Sequence, residues 1–374
     1  MKVWVIAVTV LLSTALAAEQ QRPRARDLGV TPGAGTPGVL NAITDVAGVK
    51  VGQVTLIEGE NVRTGVTAVL PHGGNLFRDK VPGAVFVGNA FGKLAGSTQV
   101  KELGTIETPI VLTNTLAVGT AIEAVVRWTL AVDGNTNVRS VNALVGETND
   151  GGLNDIRSLP VTRDHVLRAI TSAVDGPVAE GAVGAGTGTI AFGWKGGIGT
   201  SSRVVRQGGG EGSTYTVGVL VQSNYGGRLT IDGRQIWRTL TPGRAGGAPN
   251  TWAQDADGSC MIIVATDAPL DARDLERLAA RAIFALARTG STFSNGSGDY
   301  AIAFSTATGN RASATNGPQA RTFLPTDAVS GLFEAAMDAT EEAVYNSLLK
   351  AVDMTGNGRM VRALPLDALG RGQR

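Results

Sequence analysis

An unbroken apolar stretch in the last third of the chain constrains the fold more than any other feature. Residues 260–265 read Cys-Met-Ile-Ile-Val-Ala, without the polar alternation of a strand that has one face in water. Such a run is typical of a strand buried on both faces, so other layers must cover both sides of its sheet. A helical pattern follows over 271–288, with Leu and Ala at regular spacing and Gly290 as its end.

Strand and helix patterns also alternate through the rest of the chain. Short apolar runs punctuated by glycine predict strands at 49–54, 65–70, 83–87, 108–112 and 300–305. Helical periodicity predicts helices at 117–131, 163–173 and 326–351. The glycine-rich segment 183–199 is interpreted as a tightly packed strand and loop. No fixed-period repeat is present, so the predicted class is α/β or α+β with layered sheets.

Composition indicates one large globular domain. The chain has 374 residues, of which 43% are hydrophobic and 17% are charged, so it can bury a large core. No linker rich in proline, serine or like charges divides it. Lys and Arg number 33 against 32 for Asp and Glu, and the resulting formal net charge of +1 argues against a nucleic-acid partner.

The first residues have the pattern of a secretory signal. Met1 and Lys2 precede an apolar run over 3–12, and small residues follow through Ala17. Because the run is too short to span a bilayer, we expect a signal peptide at residues 1–17 and a soluble periplasmic or secreted protein, not associated with the membrane after signal removal. A retained membrane anchor is the alternative. Residues 19–45, rich in Pro, Gly, Arg and Thr, predict an irregular N-terminal arm.

Common catalytic and cofactor motifs do not fit this sequence. The two histidines, His72 in a turn and His165 within a predicted helix, are interpreted as structural or solvated. No G-x-S-x-G elbow is present. Residues 88–94 resemble a phosphate loop, but the glycines are one residue too close and Leu94 replaces the metal-binding Ser or Thr. No Cys/His cluster has metal-ligand spacing, and the single Cys260 permits no internal disulfide, so no cofactor is expected.

The tripeptide Asp257-Gly258-Ser259 offers a nucleophile that needs no histidine. A serine at a chain terminus can pass its hydroxyl proton to its own α-amine, whose reference pKa is about 8. To expose that terminus, the Ser259 hydroxyl would attack the Gly258 carbonyl and form an ester that water hydrolyses. Glycine leaves this peptide bond uncrowded and able to adopt a strained conformation. Taken alone, Asp-Gly-Ser is also an ordinary turn sequence.

Several motifs in a fixed order favour the catalytic interpretation. They are NAITDVAGVKVG from Asn41, GKLAG from Gly92, ELGTIETPIVLTNTLAVG from Glu102, GETNDG from Gly146, VQSNYG from Val221, DGS from Asp257 and ATDAPL from Ala265. Over residues 41–348 the chain resembles the self-processing aminopeptidases that include L-aminopeptidase D-esterase/amidase and the β-peptidyl aminopeptidases. This resemblance implies a four-layer α/β/β/α sandwich, self-cleavage into a larger chain (18–258) and a smaller chain (259–374) within one globular domain, and a tetramer of αβ pairs.

The resemblance also implies the site residues. Ser259 falls on the family's nucleophile, and Ser297 and Asp299 fall on a Ser-x-acid pair that orients it, although some relatives have Glu at the acid position. Asn224 matches an asparagine that donates to the oxyanion. Glu147 resembles the carboxylate that holds the substrate's free ammonium group. Without the resemblance, Ser297, Asp299 and Asn224 are interpreted as residues of turns. Glu147 is then interpreted as a solvated or structural carboxylate.

The implied function is a self-cleaving serine aminopeptidase that releases small N-terminal residues from peptides, amides or esters with a free N-terminus. A β-peptidyl aminopeptidase is the main alternative. Relatives can carry an aromatic pocket residue where this chain has Gly152, which predicts a wider pocket and leaves the substrate preference open. An acyltransferase of the same fold and a non-catalytic binding protein are further alternatives. The transferase uses a threonine nucleophile, and the binding protein predicts an uncut chain.

Overall fold

The computed structural model describes residues 22–206, 213–242, 258–313 and 317–366. Within these ranges the α-helices are α1 Ser97–Leu103, α2 Val118–Ala131, α3 Arg163–Thr171, α4 Ala272–Thr289 and α5 Ser330–Leu349. The strands are β1 Lys50–Glu58, β2 Val62–Leu70, β3 Asp79–Ala90, β4 Leu94–Ala95, β5 Thr105–Ile106, β6 Ile110–Asn114, β7 Leu144–Thr148, β8 Ile190–Ala191, β9 Trp194–Lys195, β10 Gly197–Arg206, β11 Thr214–Asn224, β12 Ser259–Thr266, β13 Gly298–Ser305, β14 Ala312–Ser313, β15 Met354–Gly356 and β16 Arg359–Val361.

Two sheets form the centre of the fold. The smaller sheet has the strand order β1-β2-β6-β7-β4. The larger sheet has the order β10-β11-β12-β13-β3-β14, and β5 pairs with β3 beside this path. Strand β12 runs antiparallel to β11 and parallel to β13. It therefore lies inside its sheet, with a neighbour on each edge.

The side chains of β12 alternate between two apolar cores. Met261, Ile263 and Ala265 share one core with residues of the smaller sheet, among them Ile110 and Leu144. The intervening side chains, from Cys260 onward, pack in a second core with residues of α4 and α5. Every residue of β12 is buried, as the unbroken apolar run predicts.

A third core completes the layers. It lies between the outer face of the smaller sheet, represented by Val66 and Val145, and the helices α2 and α3, represented by Val125 and Val166. The order across the molecule is therefore α4 and α5, the larger sheet, the smaller sheet, then α2 and α3. This arrangement confirms the predicted four-layer α/β/β/α sandwich.

Strand β10 shows why part of the larger sheet was not predicted as strand. Its sequence, GIGTSSRVVR, has the Gly, Ser and Thr content of a loop. A Cβ atom at Gly199 would lie 1.9 Å from the Ala343 carbonyl oxygen of α5 and 2.6 Å from the Ser347 nitrogen. Small residues are therefore required because the helix backbone packs directly on the strand. Strands β7 and β11, the short strands β4, β5, β14, β15 and β16, and helix α1 also went unpredicted.

The N-terminal arm packs on its own chain where the structure describes it. Ala25 is fully buried, and its N–H donates to Asn346 Oδ1 at 2.9 Å. Arg22 donates to the carbonyl oxygens of Leu349 at 2.7 Å and Leu364 at 2.6 Å. The predicted signal peptide at residues 1–17 lies outside the described residues. Within the described part, no helix is long and apolar enough to cross a membrane.

A buried ionic network joins the arm, β10 and α5. Glu342 and Arg203 are 0% exposed, and Arg203 Nη2 lies 2.8 Å from Glu342 Oε2. Arg26 Nε lies 3.0 Å from each oxygen of the same carboxylate, and Asn41 Nδ2 donates to Oε1 at 2.5 Å. Because the desolvation of two charges is offset only when both partners are present, each side chain here depends on the others.

Removal of the Glu342 charge should therefore destabilise the whole molecule. We expect Glu342→Gln to lower the free energy of unfolding by about 3–5 kcal/mol, since Arg203 is left as an uncompensated buried charge. Urea unfolding in a Ser259→Ala background, which lacks the hydroxyl needed for the predicted cut, measures the loss. Glu334→Gln, at an exposed position of the same helix, is the control and should change little.

Candidate active site

Strand register brings four of the predicted site residues to one end of the larger sheet. Ser259 opens β12, where it pairs with Asn224 at the end of β11 and with Gly298 at the start of β13. Ser297 and Asp299 flank Gly298 in sequence, so they lie on either side of the Ser259 partner. Ser259 itself is 6% exposed. The nucleophile predicted from the sequence therefore lies buried among strand ends.

The Gly298 N–H group contacts both oxygen atoms that take part in the predicted cut. It donates to the Gly258 carbonyl oxygen at 3.0 Å and to Ser259 Oγ at 3.3 Å. A donor on that carbonyl oxygen polarises the bond and stabilises the negative charge that develops when a hydroxyl attacks it. The hydroxyl and carbonyl of the Gly258–Ser259 bond are thus both fixed by the backbone of β13.

Glycine is required at position 258 by close packing. A Cβ atom there would lie 2.2 Å from the Asn224 carbonyl oxygen and 2.6 Å from Tyr225 Cα. The lack of a side chain at Gly258 allows the strand end of β11 to approach the bond that precedes Ser259.

Ser297 and Asp299 form a buried polar pair with unused hydrogen-bonding capacity. They are 2% and 0% exposed, and neither Ser297 Oγ nor either Asp299 carboxylate oxygen has a hydrogen-bond partner among the described residues. Burial raises the pKa of Asp299 to about 6. The Ser297 hydroxyl and the Cys260 backbone lie near the carboxylate and oppose this shift, but neither forms a hydrogen bond with it. An orphaned buried carboxylate is costly, and a neighbouring ammonium group would remove that cost.

Asn89 holds the turn that carries this pair, and it was not predicted from the sequence. Its Nδ2 donates to the carbonyl oxygens of Ser294 at 3.0 Å and Asn295 at 3.3 Å, and also to that of Ser297. It belongs to β3, the strand next to β13. In the sequence it lies within residues 88–94, the rejected phosphate-loop pattern.

The Asn224 amide is held in one orientation. Its Oδ1 accepts from the Ile190 N–H group at 2.9 Å, and its Nδ2 donates to the Asn149 carbonyl oxygen at 3.0 Å. A primary amide has two N–H bonds, so one remains for another acceptor. The side chain is 7% exposed. This geometry suits a donor to an oxyanion.

Glu147 lies across the site on the smaller sheet. Its carboxylate is 2% exposed and accepts from the Lys93 N–H group at 3.0 Å and from the Thr115 hydroxyl. Gly92 connects it to the nucleophile, because a Cβ atom at Gly92 would lie 3.3 Å from both Glu147 Oε1 and Gly298 Cα. The site thus lies between the two sheets, with the predicted ammonium-binding carboxylate facing the start of β13.

Lys93 and Thr115 were not predicted as site residues, although both lie within the ordered motifs. Lys93 Nζ is 3.9 Å from Glu147 Oε1, and its side chain is 58% exposed. The carboxylate is therefore held mainly by the Lys93 N–H group and the Thr115 hydroxyl. Tyr300 also adjoins the site, since its ring would touch a Cβ atom at Gly92 at 3.1 Å.

The histidines are structural, as predicted. His72 is buried, with Nε2 2.8 Å from the Asp79 carbonyl oxygen and Nδ1 accepting from the Gly74 N–H group. His165 Nδ1 accepts from the Thr162 N–H group at the start of α3. Neither histidine bonds to a predicted site residue in the described part of the chain.

The space beside Gly152, where relatives can carry an aromatic residue, is bordered by Ile190. A Cβ atom there would lie 2.8 Å from Ile190 Cδ1, so the Ile190 side chain already fills the adjacent space. Cys260 is a free, buried residue of the α4–α5 core, as expected for a strand position. Among the described residues, no three His, Cys, Asp or Glu side chains form a group that could hold a metal ion.

Comparisons with known proteins agree with the motif-based resemblance. A family model described as peptidase family S58 matches residues 41–361. Beta-peptidyl aminopeptidase BapA of Sphingosinicella microcystinivorans is 45% identical, over 93% of this chain and 91% of that protein. A beta-aminopeptidase structure from Burkholderia sp. has a TM-score of 0.84 at 39% identity, covering 94% of this chain and 100% of that one.

A second solved structure extends the similarity to a described catalytic class. The L-aminopeptidase D-Ala-esterase/amidase of Ochrobactrum anthropi has a TM-score of 0.84 at 38% identity, covering 93% of this chain and 97% of that one. It is described as a prototype for the serine aminopeptidases and as a variant of the N-terminal-nucleophile hydrolase fold. The present chain therefore shares nearly its whole length with proteins of this fold.

The raised pKa of Asp299 should make the uncut chain less stable as pH rises. The folded state keeps the proton up to about pH 6, whereas a free carboxyl loses it near pH 4, so folding takes up a proton between these values. We expect the free energy of unfolding of Ser259→Ala to fall by roughly 2–3 kcal/mol relative to Ser259→Ala/Asp299→Asn between pH 4 and pH 7. Urea titrations of both variants at several pH values test this, and parallel curves would contradict it.

Proposed function

The chain belongs to peptidase family S58, and on that premise we propose that Ser259 is its catalytic nucleophile, released by self-cleavage of the Gly258–Ser259 bond. The protein is an aminopeptidase of the N-terminal-nucleophile hydrolase class. The observation that carries the assignment to Ser259 is the shared Gly298 N–H donor, which contacts both the Gly258 carbonyl oxygen and Ser259 Oγ.

The cut proceeds by transfer of the acyl group from nitrogen to oxygen. Ser259 Oγ attacks the Gly258 carbonyl carbon, and the developing negative charge on the carbonyl oxygen is stabilised by the Gly298 N–H group. The C–N bond breaks, the hydroxyl proton passes to the Ser259 nitrogen, and an ester joins Gly258 to Ser259. Water hydrolyses this ester, leaving a carboxylate on Gly258 and a free α-amine on Ser259. The larger chain thus ends at residue 258 and the smaller one begins at residue 259.

The new α-amine supplies the base that histidine does not. Asp299 and Ser297 are buried next to the strand position paired with Ser259, and they have unused acceptor capacity in the uncut chain. Once the amine exists, the Asp299 carboxylate compensates its charge and the Ser297 hydroxyl orients it. In the neutral form the amine takes the Ser259 hydroxyl proton as the hydroxyl attacks a substrate carbonyl.

Substrate turnover uses residues from both sheets. The Asn224 Nδ2 group donates to the oxyanion formed when Ser259 attacks the substrate carbonyl. Glu147 binds the ammonium group of the substrate's first residue, which sets the demand for a free N-terminus. An acyl-enzyme on Ser259 forms as the leaving amine departs, and water then releases the N-terminal residue. The substrates are small peptides, amides or esters.

A β-peptidyl aminopeptidase is the second candidate within this chemistry. It is favoured by the name of the Sphingosinicella relative. A β-amino acid places its ammonium one methylene further from the carbonyl. The distance from the Glu147 carboxylate to Ser259 Oγ therefore determines which of the two substrate classes fits. Parallel assays on anilides of an α-amino acid and the matching β-amino acid decide between the two.

Localisation and assembly are part of the same proposal. The signal-like pattern at residues 1–17 supports export to the periplasm or the medium as an uncut zymogen. The family resemblance supports a tetramer of αβ pairs. Cell fractionation and light scattering on the purified protein test these two points.

Ser259→Ala should abolish the cut. We expect the wild-type protein on a denaturing gel to give a smaller fragment of about 12 kDa, in proportion to its share of the 38.4 kDa chain. Mass spectrometry should place its first residue at Ser259. The variant should remain one chain and be inactive, because it has neither hydroxyl nor free α-amine. A fully active, intact wild-type chain would falsify the assignment.

Glu147→Gln should weaken substrate binding without blocking the cut. The loss of a charge-assisted contact with the substrate ammonium costs about 1.5–3 kcal/mol, or about tenfold to a hundredfold in kcat/KM, mainly through KM. The extent of self-cleavage, measured by mass spectrometry, should stay as in the wild type. Steady-state kinetics with an unblocked anilide provide the readout, and an unchanged KM would refute the role of Glu147.

A further inference from the structure

A fully buried lysine lies behind the Asn224 amide and takes no direct part in the proposed reaction. Lys195 is 0% exposed. Its Nζ donates to the carbonyl oxygens of Gly186 at 2.9 Å, Thr189 at 2.8 Å and Gly196 at 2.8 Å. An ammonium group has three N–H bonds, so these contacts use all of them. The Lys195 amino group is therefore held in place by three backbone carbonyls.

One of these carbonyls belongs to the peptide group that orients Asn224. The Thr189 C=O accepts from Lys195, and the Ile190 N–H of the same peptide unit donates to Asn224 Oδ1 at 2.9 Å. In a trans peptide the C=O and N–H bonds point in opposite directions, so the ammonium lies at one end of this unit and Asn224 at the other. Ile190 and Lys195 also face each other in the β8–β9 hairpin.

The orientation of the amide decides whether Asn224 can act as a donor. Nδ2 stabilises an oxyanion, whereas Oδ1 in its place would repel it. The Ile190 N–H fixes Oδ1 on one side, and the Asn149 C=O fixes Nδ2 on the other. A cation on the Thr189 carbonyl also polarises the peptide and strengthens its N–H as a donor.

We propose that Lys195 is a positioning residue, which acts through the Thr189–Ile190 peptide to hold the Asn224 amide with a free N–H available to the oxyanion. This proposal rests on the proposed role of Asn224. It assigns a task to the glycine-rich segment 183–199, which sequence analysis described only as a packed strand and loop.

Charges around Lys195 are consistent with this task. Burial lowers the pKa of the Lys195 ammonium to about 7, and the Asp150 carboxylate opposes that shift. Asp150 directly follows Asn149, whose carbonyl accepts from Asn224, and burial raises the pKa of the Asp150 carboxyl to about 6. A buried ionisable side chain therefore adjoins each backbone group that contacts the Asn224 amide. Lys195 adjoins the Thr189–Ile190 peptide, and Asp150 follows Asn149.

A double-mutant cycle tests the proposal. Lys195→Met removes the ammonium while keeping a similar chain length. We expect it to lower kcat by about tenfold to a hundredfold with little change in KM, because an oxyanion donor is misdirected. In an Asn224→Ala background the same substitution should have almost no further effect on kcat, since the side chain that it positions is absent. All rates are normalised to the fraction of cut chain measured by mass spectrometry.

The cycle separates positioning from mere stabilisation. If Lys195→Met lowers kcat equally in both backgrounds, or in neither, the proposal is overturned. If Asn224→Ala alone leaves kcat unchanged, the proposed oxyanion role of Asn224 fails instead.

A second variant covers the case in which Lys195→Met does not fold. Ile190→Pro removes the N–H that holds Asn224 Oδ1 and leaves the ammonium in place. Its kcat loss should likewise disappear in the Asn224→Ala background. An equal loss in both backgrounds would contradict the proposal.

Discussion

The pairing of β11, β12 and β13 is the constraint on which the rest of the structure depends. Because β12 pairs with both neighbours from its first residue, Ser259 lies opposite Asn224 on one side and Gly298 on the other. A shift of one residue in either pairing would turn these side chains to the opposite face of the sheet. The continuous apolar sequence of β12 keeps the strand buried between two cores, and the ladders to β11 and β13 hold its register.

Buried polar groups in this protein are of two kinds. The Glu342 carboxylate is paired with Arg203, and the Lys195 amino group has its hydrogen bonds satisfied within the chain. Asp299 and Ser297 do not, and they lie beside the nucleophile. Uncompensated buried groups destabilise a fold, so they persist where another group has to bind. In the proposed mechanism that group is the α-amine, which exists only after the cut.

The elements that hold the two proposed fragments together are distributed across the fold. Strand β12 and helix α5 belong to the smaller fragment, whereas β10, β11 and the arm belong to the larger one. They remain joined by the β11–β12 ladder and by the Glu342 network with Arg203 and Arg26. The proposed cut would therefore change the chemistry at Ser259 without separating the layers.

The sequence by itself determined the layered class, the strands β1, β2, β3, β6, β12 and β13, the helices α2 to α5, and the order of motifs that points to Ser259. Local patterns carry this information, since apolar periodicity follows from which faces are buried. The closely packed segments could not be recognised in this way, because the glycines and serines of β10 have the composition of a loop until α5 packs on them.

Only the tertiary structure decided which polar side chains meet. Glu147 and Gly298 lie on different sheets, and nothing in their separation along the chain indicates that both lie next to Gly92. The same is true of Lys195 and Asn224, which are connected through the two ends of one peptide group. Such contacts depend on distances between layers, and these are set by packing of the whole core.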